Sequence, residues 1–66
     1  MTHLTLNGDS IESAAATLAA LLEERGLATT KCATAVNEAF VPATARASHP
    51  LHPGDRVEIV IPTQGG

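Results

Sequence analysis

Sixty-six residues with 44% hydrophobic content make one small domain with an aliphatic core, since Phe40 is the sole aromatic residue. Four basic residues against seven acidic ones give a net charge of −3, which excludes a phosphate-driven nucleic-acid surface and suits a basic protein partner. A single cysteine excludes an internal disulfide and fits a reducing, cytoplasmic setting.

The opening M-T-H-L-T-L lacks the charged region and apolar run of a signal peptide, and no apolar run reaches membrane-spanning length. Thr2 to Leu6 alternates polar and apolar residues, placing Leu4 and Leu6 on one side of a strand. Asn7-Gly8 is a two-residue hairpin signal, because both residues accept the positive φ of a type I′ turn. Asp9 to Glu12 is then the return strand, anchored by Ile11. Ser13 or Thr17 caps the following helix, which runs to Arg25. Leu18, Leu21 and Leu22 form its buried stripe, extended by Ala14 and Ala15, with Glu23 and Glu24 on the wet side. Gly26 stands where a left-handed helix end belongs, with Leu27 as its apolar follower.

After a polar connector at Ala28 to Lys31, Cys32 to Val36 reads as a third strand ended by the turn signal Asn37-Glu38. Phe40-Val41 is a short strand stopped by Pro42, and Ala43 to Ser48 has room for one helical turn. His49 to Asp55 is loop, and its Pro53-Gly54 pair suits the centre of a type II turn. The final strand has Val57, Ile59 and Ile61 alternating with Glu58 and Val60, until Pro62 removes a ladder donor. The order of hairpin, helix, two short strands, loop and strand predicts a two-layer α+β domain over residues 1–62. One main helix covers one face of a mixed sheet of four to five strands. If the first and last strands are parallel neighbours at the sheet centre, the arrangement is a β-grasp. Residues 63–66 have nothing to bury and are expected to form a flexible carboxyl-terminal arm.

Few residues suggest chemistry, and none is assigned a catalytic role. Cys32 reads as a small core hydrophobe rather than a nucleophile. His49 and His52 form H-x-x-H, but no thiol or carboxylate at ligand spacing completes a metal site, so they read as solvated loop. His3 reads as exposed. Val60 points away from Val57 and Ile59, and with Asp55 and Glu58 as an acidic ring it outlines a docking surface on the open sheet face. The diglycine Gly65-Gly66, without side chains, is able to thread as extended backbone into a narrow channel of another protein, the alternative being glycines with no role. A terminal carboxylate becomes reactive only once its oxygen is made a good leaving group, for instance by adenylation.

Several segments together resemble the thiamine-biosynthesis sulfur carrier family (ThiS), ubiquitin-like β-grasp proteins. These are L-N-G at Leu6–Gly8, T-L-A-A-L-L at Thr17–Leu22, A-V-N at Ala35–Asn37 and V-P at Val41–Pro42. The strongest are L-H-P-G-D-R-V-E-I-V at Leu51–Val60 and the closing Q-G-G. They occur in the family's order over essentially the whole chain. The resemblance implies that Gly66 is adenylated by a ubiquitin-activating-type (ThiF-like) adenylyltransferase using ATP and Mg²⁺. Persulfide sulfur, supplied through a donor such as a cysteine desulfurase, then converts it to a thiocarboxylate. A ThiG-like thiazole synthase takes the sulfur into the thiazole ring. On this reading Gln64 and Gly65 are recognised with Gly66, no cofactor is bound by the chain itself, and the protein is a cosubstrate rather than an enzyme. One departure stands out: the family usually carries arginine directly after V-P, whereas this chain has Ala43, with Arg46 three residues on. The alternatives are the molybdopterin-synthase small subunit, a sulfur carrier of another pathway, and a ubiquitin-like conjugated modifier. Lys31, the sole lysine, would limit branched conjugation.

Overall fold

The computed structural model describes residues 1–62. The first two strands, β1 (Thr2–Leu6) and β2 (Asp9–Ser13), form the expected hairpin, with Leu6 opposite Asp9 and Leu4 opposite Ile11. Its turn residues have φ of 50° at Asn7 and 87° at Gly8, the double positive φ that a type I′ turn requires. The return strand runs one residue further than its apolar pattern indicates, through Ser13.

Helix α1 spans Leu18–Glu24 and begins at Thr17, whose Oγ1 accepts a hydrogen bond from the Ala20 N–H at 3.2 Å. Thr17 is therefore the cap, and Ser13 belongs to β2. Ala14 and Ala15 lie in the connector before the helix and not on its stripe, although Ala15 is still buried against the core. The buried Ser13 hydroxyl instead braces that connector. It donates to Glu24 Oε1 at 2.7 Å and accepts from the Ala15 N–H, while the Ala14 N–H donates to Glu24 Oε2. Glu24, placed unfavourably at a helix carboxyl end, is thus held by a chain segment that needs acceptors. The helix closes as predicted. Gly26 has φ of 76°, its N–H donates to the Glu23 carbonyl, and the Leu27 N–H reaches back to the Leu22 carbonyl at 2.7 Å.

Strands β3 (Ala33–Val36) and β4 (Ala39–Val41) form a second two-residue hairpin. Asn37 and Glu38 both take positive φ, 52° and 72°. Cys32 lies just before β3 rather than within it. Ala43–Ser48 is a short 3₁₀ segment, and the loop after it pairs with the helix start: the Leu18 N–H donates to the His49 carbonyl and the Leu51 N–H to the Ala16 carbonyl. Pro53-Gly54 makes the turn into the last strand, with Gly54 at φ of 86° and the Asp55 N–H donating to the His52 carbonyl.

That strand, β5 (Arg56–Val60), lies in the middle of a five-stranded sheet ordered β2-β1-β5-β3-β4 over the described residues. It is parallel to β1 and antiparallel to β3, the β-grasp arrangement. The covered face and the helix enclose Leu4, Leu6, Leu18, Leu21, Leu22, Val36, Val57 and Ile59, with Val41 and Leu51 at the margin. The chain's core is aliphatic throughout. Ile61 departs from the expected alternation. It follows the strand and is half exposed, because β3 begins opposite Val60 and offers no partner beyond it.

One buried polar bridge ties the 3₁₀ segment to the sheet. The Thr34 hydroxyl, 1% exposed, donates to the Val41 carbonyl at 2.8 Å and accepts from Arg46 Nε at 2.9 Å. Arg46 Nη2 donates to the Cys32 carbonyl at 2.6 Å. Thr34→Val keeps the shape and removes the hydroxyl, leaving the guanidinium and a carbonyl short of partners. It is expected to destabilise by about 1–3 kcal/mol in urea unfolding, against a smaller loss for Thr34→Ser, which keeps the hydroxyl. A Thr34→Val chain as stable as the wild type would show that the hydroxyl bridge contributes nothing net, and a larger loss in Thr34→Ser would assign the effect to the methyl group.

Candidate functional site

Strand β5 sorts its side chains by pleat. Val57 and Ile59 enter the core, whereas Glu58 and Val60 stand on the face that the helix leaves uncovered, Val60 at 62% exposure. Residues directly opposite each other in adjacent strands share a face. Val60 is opposite Ala33, Glu58 is opposite Ala35, and Ala35 is also opposite Phe40 on β4. The open face therefore carries a low apolar floor of two alanines, with Val60 on one side and Phe40 on the other. Phe40 is 69% exposed. The sequence reading placed it in a short strand but assigned it no part in the surface. The alternation with buried Val41 was the signal, since an inward Val41 puts its neighbour outward. Beyond Val60, Ile61 and Pro62 are exposed, so the last described residues adjoin this patch. Gln64, Gly65 and Gly66, the residues to which the sequence points most directly, lie outside the described residues.

Asp55 is not part of a ring around Val60. Five residue steps of extended chain separate them, about 16 Å at about 3.3 Å per step. Its side chain is only 14% exposed and is already engaged. It accepts from the His52 N–H at 2.8 Å and from Asn37 Nδ2 at 3.0 Å, closing the loop that delivers β5. Burial pushes the Asp55 carboxyl upward, but the two hydrogen bonds, helped by the nearby His52 and His49, outweigh it and leave its pKa below the usual value. The Glu24 carboxyl is also lowered, first by the Ser13 hydroxyl and then by the Ala14 N–H.

The remaining candidates fall in ordinary surroundings. His3 is exposed, with Nε2 3.1 Å from the Ser10 hydroxyl and Nδ1 3.7 Å from Glu12. His49 is half-buried and His52 exposed. Among the described residues no group of three His, Cys, Asp or Glu side chains is placed to hold a metal ion. Cys32 is half-buried against the core. Ala43 and Arg46 line a shallow groove between α1 and the 3₁₀ segment, and Arg46 is committed to Thr34 and Cys32. Arg46 is thus a structural clamp here and no stand-in for a surface arginine at position 43. Among the described residues no helix is long and apolar enough to cross a membrane.

The profile of the ThiS family matches residues 4–66, from the first strand through the terminal glycine. The chain belongs to the ThiS family. A solved structure agrees at the level of fold: the thiamine biosynthesis protein (ThiS) from Geobacter metallireducens superposes with a TM-score of 0.81 at 23% identity. That match covers 98% of this chain and 100% of the other. No curated protein matches the sequence. Membership brings the family's broad role, sulfur carriage in thiamine biosynthesis.

The two lowered carboxyls set an acid limit on the scaffold. A group whose folded pKa lies below its unfolded value stabilises fully above the unfolded pKa and loses that contribution as pH falls through the folded one. The unfolding free energy should therefore drop between about pH 5 and pH 2, and the gap between wild type and Asp55→Asn should narrow over that window. A gap that stays constant with pH would show that Asp55 contributes through shape rather than charge.

Proposed function

We propose that the protein is a sulfur carrier whose working group is the carboxyl of Gly66. The observation that supports this most is the coincidence of a family match through Gly66 with a fold whose last strand sits at the sheet centre and ends beside an open face. The domain holds the strand, and the residues after Pro62 carry one carboxylate outward to an active site on another protein.

In this reading the Gly66 carboxylate attacks the α-phosphate of ATP on a ThiF-like adenylyltransferase, releasing pyrophosphate and forming an acyl-adenylate. Mg²⁺ on that enzyme offsets the phosphate charge. A persulfide, charged by a donor such as a cysteine desulfurase, attacks the acyl carbon and displaces AMP. A thiol then reduces the acyl disulfide and frees the terminal thiocarboxylate. A ThiG-like thiazole synthase accepts this sulfur. The sulfur stays covalently tethered as a strong nucleophile, so free sulfide is never released. The diglycine Gly65-Gly66 supplies slenderness, and Gln64 with Gly65 provides the backbone by which the arm is recognised. The protein is the cosubstrate of these enzymes in the cytoplasm.

Incubation with ATP, the cognate adenylyltransferase and a sulfur donor should give the intact-mass increment for one oxygen replaced by sulfur. A chain lacking Gly65-Gly66 should give none while unfolding at nearly the same temperature. An unmodified full-length chain, under conditions where a known carrier reacts, overturns the reading. Delivery of the sulfur to molybdopterin-synthase machinery but not to thiazole synthase would reassign the pathway.

Docking is proposed to use the open face around Val60 and Glu58, with Phe40 completing the apolar patch and Asp55 acting only through the loop. Val60→Asp should raise the dissociation constant for the adenylyltransferase about tenfold or more. It should cost no more than about 1 kcal/mol of stability, because the side chain is already in water. Unchanged affinity would remove Val60 from the interface.

A further inference from the structure

The hydrogen bonds around Asn7 give it a task beyond its turn. The backbone ladder between β1 and β5 ends early. Thr5 and Leu6 pair with Arg56 and Val57, the Asn7 N–H donates to the Val57 carbonyl at 2.9 Å, and there the chain turns away into β2. From Glu58 onward β5 has no backbone partner on that side, although β3 still supports it on the other. The Asn7 side chain continues the ladder. Its Oδ1 accepts from the Ile59 N–H at 2.9 Å, and its Nδ2 donates to the Ile59 carbonyl at 3.1 Å. A primary amide has the donor and acceptor of a peptide group, so one side chain replaces a strand residue that the turn has taken away.

Ile59 is the last core residue of β5, three positions before Pro62. Gly66 is four residues past Pro62, a reach of at most about 14 Å. The direction in which the strand leaves Ile59 therefore sets the cone within which Gly66 meets an active site. We propose that Asn7 is a positioning residue for the reaction at Gly66: its amide clamps Ile59 and fixes the exit of the carboxyl-terminal arm relative to the docking face. This role rests on the carrier reading above. Asn7 touches no reacting atom, and it holds β5 on the β1 flank, opposite the flank on which Val60 meets Ala33, so its loss is read in turnover and not in docking.

Asn7→Gly is the informative variant, since a glycine pair still supports the type I′ turn while both hydrogen bonds to Ile59 disappear. In ATP-dependent adenylation by the cognate enzyme, followed by pyrophosphate release, kcat should fall about tenfold while KM for the carrier stays within about twofold. Amide hydrogen exchange should accelerate at Ile59 and remain unchanged at Leu4. Asn7→Asp retains the acceptor for the Ile59 N–H but sets a carboxylate oxygen against the Ile59 carbonyl, and should show the same split. A reactive wild type beside an equally reactive Asn7→Gly chain overturns the positioning role alone. A rise in KM with unchanged kcat overturns it also, by placing Asn7 in docking. A wild-type chain that is not adenylated overturns the carrier reading and this role with it.

Discussion

The structure depends on how its last strand is held between two others that leave it at different points. Strand β5 has no local partner, since it follows a long loop and pairs with segments far away in the chain. Two asparagines secure it, each at the first position of a type I′ turn and each with positive φ. Asn37 accepts from the Arg56 N–H through its side chain and donates its own N–H to the Arg56 carbonyl, fixing the strand's beginning. Asn7 does the equivalent at Ile59, near its end. Asparagine suits both tasks because it tolerates the left-handed region and carries a peptide-like group on a short stem. Local hairpin formation thus prepares the docking points for a long-range pairing, which lowers the number of independent events needed to assemble the sheet centre.

Much of this architecture was legible in the sequence. The alternation in Thr2–Leu6 and Val57–Ile59, the Asn7-Gly8 and Pro53-Gly54 turns, and the Gly26 helix end each follow from a local rule that tertiary packing did not override. The helix start did not follow so simply. Ala14 and Ala15 continue an apolar pattern, yet β2 extends to Ser13 and the connector needs Glu24 as an acceptor, which delays the helix to Leu18. Ile61 continued a pattern as well, but a strand persists only where a neighbour faces it. The site was less legible. Asp55 reads as a surface acid until Asn37, distant in sequence, is seen to occupy it. Phe40 enters the open face only when the β3–β4 register is known.

The functional division follows from the same geometry. The covered face is filled by aliphatic side chains, and the described residues satisfy every buried side-chain polar atom. Hydrogen-bonding capacity is spent internally on loops and turns, in Asp55, Arg46 and Thr34. The uncovered face is plain where β3, β4 and β5 meet, with alanines flanked by Val60 and Phe40 and Glu58 between, whereas β1 and β2 put His3, Thr5, Ser10 and Glu12 on it. Such a patch suits recognition by area and shape more than chemistry.

The parallel pairing of β1 with β5 also has a mechanical side. Traction applied at Val60 runs along the axis of a strand paired with β3 over Val57–Val60 and with β1 at Arg56 and Val57, so the load is shared by several bonds at once in shear. A strand at a sheet edge, pulled sideways, would instead surrender its bonds one after another. A pull applied where this strand ends is therefore resisted by the sheet as a body and not by a single edge contact.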